Sequence, residues 1–290
     1  MNAKQKLVLK RLRLNVLGLV LPNVAAELLL KIFTTPTHFQ RPEWEKKLLQ
    51  TGKSLFFKNG LRGTSWGDSS QPTILLMHGW SGRGAQLGAL VEPLTVAGFR
   101  VVAVDGPAHG DSAGKRSNVK TFARSLIEVS DELADNLGGV FCIVAHSFGA
   151  SASVLALHLG LKLQCLVLIA APSDLRRIVG NFIKLMKMRP GLAVRFQNKL
   201  RIWDQLKPEE ADLALLGVKY EVPALLIHDP EDHDVDYANS VRMAKLWPKA
   251  QLLTLNGVGH RQILRAPATL RAVRDFVVSV RQSSPGTMQT

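Results

Sequence analysis

The strongest chemical signal in this sequence is the run Ala145-His146-Ser147-Phe148-Gly149. It follows an apolar stretch, Phe141 to Ala145, and opens a helical pattern, Gly149 to Leu159. A serine at a strand-to-helix turn of this kind sits on a strained bend that lifts its hydroxyl clear of the sheet. Small residues are needed two places before and two places after it, and Ala145 and Gly149 are small. The plainer role for such a serine is an N-cap; the strand-turn-helix setting favours a nucleophile. A serine hydroxyl attacks a carbonyl only when a base takes its proton. His260, in Gly257-Val258-Gly259-His260 beyond the last expected strand, is the candidate base. His228 closes an apolar strand and His158 lies on a helix, so both read as packed or surface residues, and His233 reads as a bystander.

The base in turn needs an acid to orient it and to stabilise its charged form. The loop His228 to Asp236 is crowded with candidates. Register selects Asp232, with Asp229 and Asp234 behind it and Asp174 more distant. On the other side of the serine, His78-Gly79-Trp80-Ser81-Gly82-Arg83 follows the apolar run Thr73 to Met77. A glycine turn there brings a backbone N–H toward the serine, so the amides of Trp80 and Phe148 are expected to form an oxyanion hole. The Trp80 ring, His146 and Phe182 are candidate pocket residues, and His78 is expected to hold the loop through a hydrogen bond. Together these groups would perform acyl transfer. No metal motif or phosphate-cradling glycine loop is present, so no cofactor or metal is expected.

These residues need a scaffold, and the alternation of the chain supplies one. Leu55 to Phe57 and Leu61 to Trp66 read as short strands around Asn59-Gly60. Thr73 to Met77, Arg100 to Val104, Phe141 to Ala145, Cys165 to Ala170, Ala224 to His228 and Gln251 to Leu255 read as buried strands. Helical patterns lie between and after them. One is Val119 to Leu137; another closes the chain through Leu270, Val273, Phe276, Val277 and Val280. This implies an α/β fold whose mostly parallel sheet is covered by helices on both faces. The domain is expected over residues 54–281, with a small helical cap at about 172–221 and a flexible tail at 282–290.

At 290 residues and 46% hydrophobic, the chain can bury one large core. Cys142 and Cys165 each lie in an apolar run and read as buried thiols in a reducing compartment. The formal net charge is +14, which favours anionic partners. Only 6% of residues are aromatic and they form no interleaved aromatic/basic pattern of a nucleic-acid reader, so nucleic acid is not an expected partner. No apolar run reaches the ~18 residues of a membrane span. Residues 1–53 read as a basic amphipathic helix and a connector. Within residues 1–33 three readings compete: a helix packed on the domain itself, a helix resting on anionic membrane, and a signal peptide cleaved near Val24-Ala25-Ala26. The first two place the protein in the cytoplasm, with peripheral membrane contact in the second.

At four segments the chain resembles the α/β-hydrolase superfamily of the kind with an HG-x-x-G loop. Asp105-Gly106-Pro107-Ala108-His109-Gly110-Asp111-Ser112 resembles its D-x-x-G-H-G-x-S segment, with Ala108 in place of a glycine. His228 to Asp236 resembles its G-x-x-D-x-x-V-P acid loop, with Asp229 for the glycine and Asp236 for the proline. Gly257 to Leu264 resembles its G-x-G-H-x-x-x-L loop, and Trp80 to Gln86 is similar to a bacterial subgroup of uncharacterised hydrolases. The resemblance spans roughly residues 54–281 and implies a Ser147–His260–Asp232 triad in the family's chain order. Its expected substrate is a small carboxylic ester or acyl compound. Lipase-like or acyl-thioesterase action on membrane-derived acyl substrates is the first alternative, and a catalytically silent binding protein the second. Oligomeric state is open.

Overall fold

The structure, a computed structural model, describes residues 2–134 and 139–283. The strands are β1 (Lys53–Phe56), β2 (Arg62–Trp66), β3 (Thr73–Met77), β4 (Arg100–Asp105), β5 (Val140–His146), β6 (Cys165–Ile169), β7 (Ala224–His228) and β8 (Ala250–Thr254). They form one sheet in the order β1-β2-β4-β3-β5-β6-β7-β8. β1 and β2 are an antiparallel hairpin and β2 pairs antiparallel with β4; every later pairing is parallel. The first helices are α1 (Ala3–Val20), α2 (Pro22–Thr34), α3 (Glu43–Gln50), α4 (Val91–Val96), α5 (Val119–Leu133) and α6 (Phe148–His158). They are followed by α7 (Leu175–Met186), α8 (Pro190–Asp204), α9 (Leu213–Gly217), α10 (Ala238–Leu246), α11 (Gly259–Gln262) and α12 (Pro267–Ser283).

Every residue of β3, β6 and β7 is buried, as helices on both faces of a parallel sheet require. Alternate side chains enter opposite cores. Leu75, Met77, Ile143, Ala145, Leu166 and Leu168 pack with α5, α6 and α9, together with Met243 of α10. Ile74, Leu76, Cys142, Val144, Cys165 and Val167 pack with α4, α12 and the 3-10 stretch Gly84–Leu90. Cys142 and Cys165 face each other across β5 and β6 as buried free thiols. The long helix expected from Val119 is described as far as Leu133; its expected end, like the tail from residue 284 onward, lies outside the described residues.

Two segments differ from expectation. The stretch read as a connector holds α3, tied to the domain by Glu45, whose buried carboxylate pairs with Arg83. The cap is not a free-standing cover. α7 and α8 share a third core with α1 and α2, built on Leu14, Ala25, Ala26, Leu29, Leu30, Met186, Leu192 and Phe196. Contact there is close: a Cβ on Gly18 would lie 2.9 Å from Leu192.

Candidate active site

Strand order reverses direction at β3, because β4 lies on one side of it and β5 on the other. Crevices at such points bind ligands. The loops after β3 and β5 meet there, and those after β7 and β8 reach the same edge.

Ser147 sits between β5 and α6 with φ +52° and ψ −120°, a conformation L residues rarely hold. Its amide donates to Ile169 O at 2.8 Å, and Ala150 N and Ser151 N donate to its carbonyl. These bonds over-determine the bend. Gly149 has no room for a side chain: a Cβ would lie 2.3 Å from His78 O and 2.9 Å from Met77 Cγ. Ala145 is fully buried without such a collision, so its methyl fits.

His260 Nε2 lies 3.0 Å from Ser147 Oγ, and His260 Nδ1 lies 2.6 Å from Asp232 Oδ2. Residues 113 and 28 positions apart are therefore joined in one hydrogen-bonded chain. Asp232 is buried, and burial alone would raise its pKa. Bonds from His228, His260 and the amide of Val235 outweigh that and hold the carboxyl well below the usual range. It stays ionised, which fixes His260 as the tautomer carrying its proton on Nδ1. His228 is buried, with Nδ1 2.6 Å from Ser240 Oγ and Nε2 3.3 Å from Asp232 Oδ2.

Asp229 does different work. Its carboxylate accepts the amides of Val258 at 2.6 Å, Gly259 at 2.5 Å, Gly257 at 3.3 Å and Glu231 at 2.9 Å. Despite burial, those donors hold its pKa low. Asp229 thus orders the loop that carries His260 and does not touch the imidazole by hydrogen bond. Asp234 lines the cleft and donates its amide to Asp232, whereas Asp174 caps α7 and bonds Arg176. His158 meets Tyr220, and His233 is exposed.

The loop after β3 approaches the serine through Gly79, where a Cβ would stand 3.0 Å from Ser147 Cβ. His78 is buried; its Nδ1–H donates to Gly79 O and its Nε2 accepts from Gly106 N. Burial lowers its pKa to about 4, so the ring is neutral. Among the described residues, neither Trp80 N nor Phe148 N donates to another protein group. The two rings pack edge to face at 5.1 Å.

The cleft over Ser147 has a volume of about 300 Å³. Trp80 and His146 line it. His146 is neutral, its pKa lowered by burial to about 3, and its Nε2–H donates to His260 O at 2.8 Å. Phe182 does not line it; its ring packs on Phe33 and Phe196 under the N-terminal helices. The sequence places Phe182 in the expected cap and so makes it a pocket candidate, but the cap's core with the N-terminal helices takes its ring instead. Phe39, Gln86, Arg261, Leu264 and Arg265 also line the cleft, though the sequence analysis did not single them out. The available signal was spacing: Leu264 falls one helical turn beyond His260, and Arg265 one turn beyond Arg261, which adjoins the histidine.

The sequence profile described as the alpha/beta hydrolase family matches residues 74–273. No curated protein matches the chain. A provisionally named lipase from Acinetobacter baumannii AYE superposes with a TM-score of 0.66 at 19% identity, over 86% of this chain and 100% of its own. Est1E from Butyrivibrio proteoclasticus, solved with ferulic acid bound, gives 0.59 at 19% identity, over 80% of this chain and 98% of its own. An esterase from Rhodococcus sp. ECU1013 gives 0.57 at 19% identity, over 79% and 99%. At these identities the superpositions establish the common fold.

Proposed function

Because the chain belongs to the α/β hydrolase family, we propose that it is a serine hydrolase cleaving a carboxylic ester or thioester through Ser147, His260 and Asp232. The observation carrying this reading is the continuous chain Asp232–His260–Ser147 beside two undonated amides. Ser147 Oγ attacks the carbonyl carbon while its proton passes to His260 Nε2. The carbonyl oxygen becomes an anion, stabilised by the amides of Trp80 and Phe148. Ionised Asp232 stabilises the imidazolium without taking its proton. Collapse of the intermediate expels the alkoxide or thiolate, which receives that proton and leaves an acyl-enzyme. Water then gives its proton to His260, attacks the acyl carbon and frees the acid, as Ser147 recovers its proton.

Phe39, Trp80 and Leu264 offer apolar contact to an acyl group, and Arg261 and Arg265 put two exposed cations on the rim. A small ester bearing an anionic group suits that lining. The test is fluorophosphonate labelling of wild type and Ser147→Ala, with hydrolysis of a panel of short oxo- and thioesters. Wild type should label and turn over, and Ser147→Ala should lose both, with kcat down by at least ~10³-fold. Labelling that persists in Ser147→Ala rejects this nucleophile. A wild type that neither labels nor hydrolyses any ester is a binding protein on the same fold.

A further inference from the structure

The helix α1 is apolar on two opposite sides, and the fold uses only one. Leu7, Leu14 and Leu17 turn inward onto the core shared with α7 and α8. Val8, Leu12, Val16 and Leu19 repeat at four- and three-residue spacing on the outer side, each more than half exposed at 53%, 60%, 52% and 60%. On α2, Val24 and Leu28 add two more exposed apolar residues one turn apart. A lone exposed leucine is ordinary, but a contiguous stripe of this length marks a binding surface.

Charge indicates what binds. At about 100° per residue, Lys6 and Arg13 run along one border of the stripe and Arg11 along the other. Lys6 and Arg13 are exposed. The single acid in the first 42 residues, Glu27, is already paired with Lys199 at 3.1 Å and with Arg116 at 3.8 Å. A second copy of this chain docking by the same patch would place cationic borders against each other, since a two-fold contact presents identical surfaces. A bilayer with anionic headgroups offers apolar chains to the stripe and negative charge to both borders. Among the described residues no helix is long and apolar enough to cross a membrane, so the contact lies in the interface plane.

We infer that the outer face of α1, continued by Val24 and Leu28, docks the protein on an anionic lipid surface. The inference is independent of the hydrolase reading, because it concerns a surface made of no catalytic residue.

The experiment is flotation of the full-length protein with vesicles of phosphatidylcholine alone or with about one third phosphatidylglycerol. Wild type should float with the anionic vesicles, not with the neutral ones, and less so at high salt. Leu12→Glu with Val16→Glu should cut binding at least tenfold, and Lys6→Gln with Arg13→Gln about fivefold per lost charge. Both pairs should melt as wild type does, because the four side chains point to solvent. They should also hydrolyse a short water-soluble ester at the wild-type rate. If wild type hydrolyses no ester, the melting curve alone reports folding, so loss of the hydrolase reading leaves this test intact. Equal flotation of wild type and Leu12→Glu/Val16→Glu, equal binding to neutral vesicles, or no flotation overturns the inference. A wild-type dimer in sedimentation that Leu12→Glu/Val16→Glu dissolves also overturns it, in favour of a second copy as the occupant.

Discussion

Two aspartates three residues apart divide the labour of holding one histidine. Asp232 bonds the imidazole and Asp229 bonds the backbone beneath it. Replacing Asp232 by Asn removes the charge opposite the imidazolium and allows the wrong tautomer. We expect kcat to fall about 10⁴-fold with little change in KM. Replacing Asp229 by Asn leaves His260 paired with Asp232 but loosens the glycine loop. The expected result is a smaller loss of kcat together with a lower melting temperature, by the ~1–3 kcal/mol of an impaired buried acceptor. Steady-state kinetics and thermal melts of the two variants check this; an inactive, fully stable Asp229→Asn would reverse the assignment. Arg261 and Arg265, on the rim of the cleft, are expected to act on substrate choice. Arg261→Ala should raise KM for an ester bearing a carboxylate or phosphate and leave KM for its neutral analogue within about twofold, since an exposed cation contributes on the order of 1 kcal/mol. Equal changes for both substrates would remove charge recognition from the rim. Sequence alone made Asp232 and His260 legible because loop type and chain order constrain them. It did not reveal the rim arginines, because they share a cleft with Ser147 from 114 and 118 positions away in the chain.

At the level of elements, the turn between β5 and α6 depends on how closely three backbone segments approach. The Gly149 position leaves 2.3 Å between a Cβ and His78 O, a backbone atom that cannot swing aside. Gly149→Ala must therefore push α6 away from the loop after β3 and shift the Phe148 amide with it. We expect a loss of at least ~2 kcal/mol of stability, in the range for overpacking, and a fall in kcat larger than any change in KM. Calorimetry and kinetics on the one variant read both. The strands themselves were readable from sequence because strands buried on both faces appear as continuous apolar runs, and β3 and β7 match their expected limits. α3 was not readable. It has eight residues, and its anchor is a carboxylate, Glu45, buried against Arg83 Nη2 at 3.0 Å. A pattern of apolar spacing has no place for an ion pair that replaces a core side chain. Ala108 carries a related lesson. It holds φ +65° at a position where the resembled motif has glycine, so the departure from the motif is tolerated as backbone strain.

Across the whole molecule, three buried imidazoles set the response to acid. His78 and His109 pack against each other and His146 lines the cleft, and burial is the largest cause of their low pKa values of about 4, 3 and 3. In the unfolded chain each returns to 6.5. Below that value the unfolded chain binds protons that the native protein does not, so stability rises with pH and is lost on acidification. The stabilisation is whole above pH 6.5 and declines down to about pH 4, where His78 begins to protonate in place. The depressed carboxylates, Asp232 among them, act in the same direction, but only below their ordinary value of 3.8, which separates the two windows. Three such protons give a limiting slope of roughly 4 kcal/mol per pH unit. Against a total stability of about 5–15 kcal/mol, acid unfolding should begin well above the carboxylate range. Denaturant titrations at a series of pH values between neutrality and pH 4 measure the slope. His109→Phe keeps the ring packed against Trp80 and Phe122, and it removes one of the three protons. It should flatten the acid limb by about a third. An unchanged slope in that variant would show that the imidazole of His109 takes up its proton in the folded state, and the acid response would then belong to other groups.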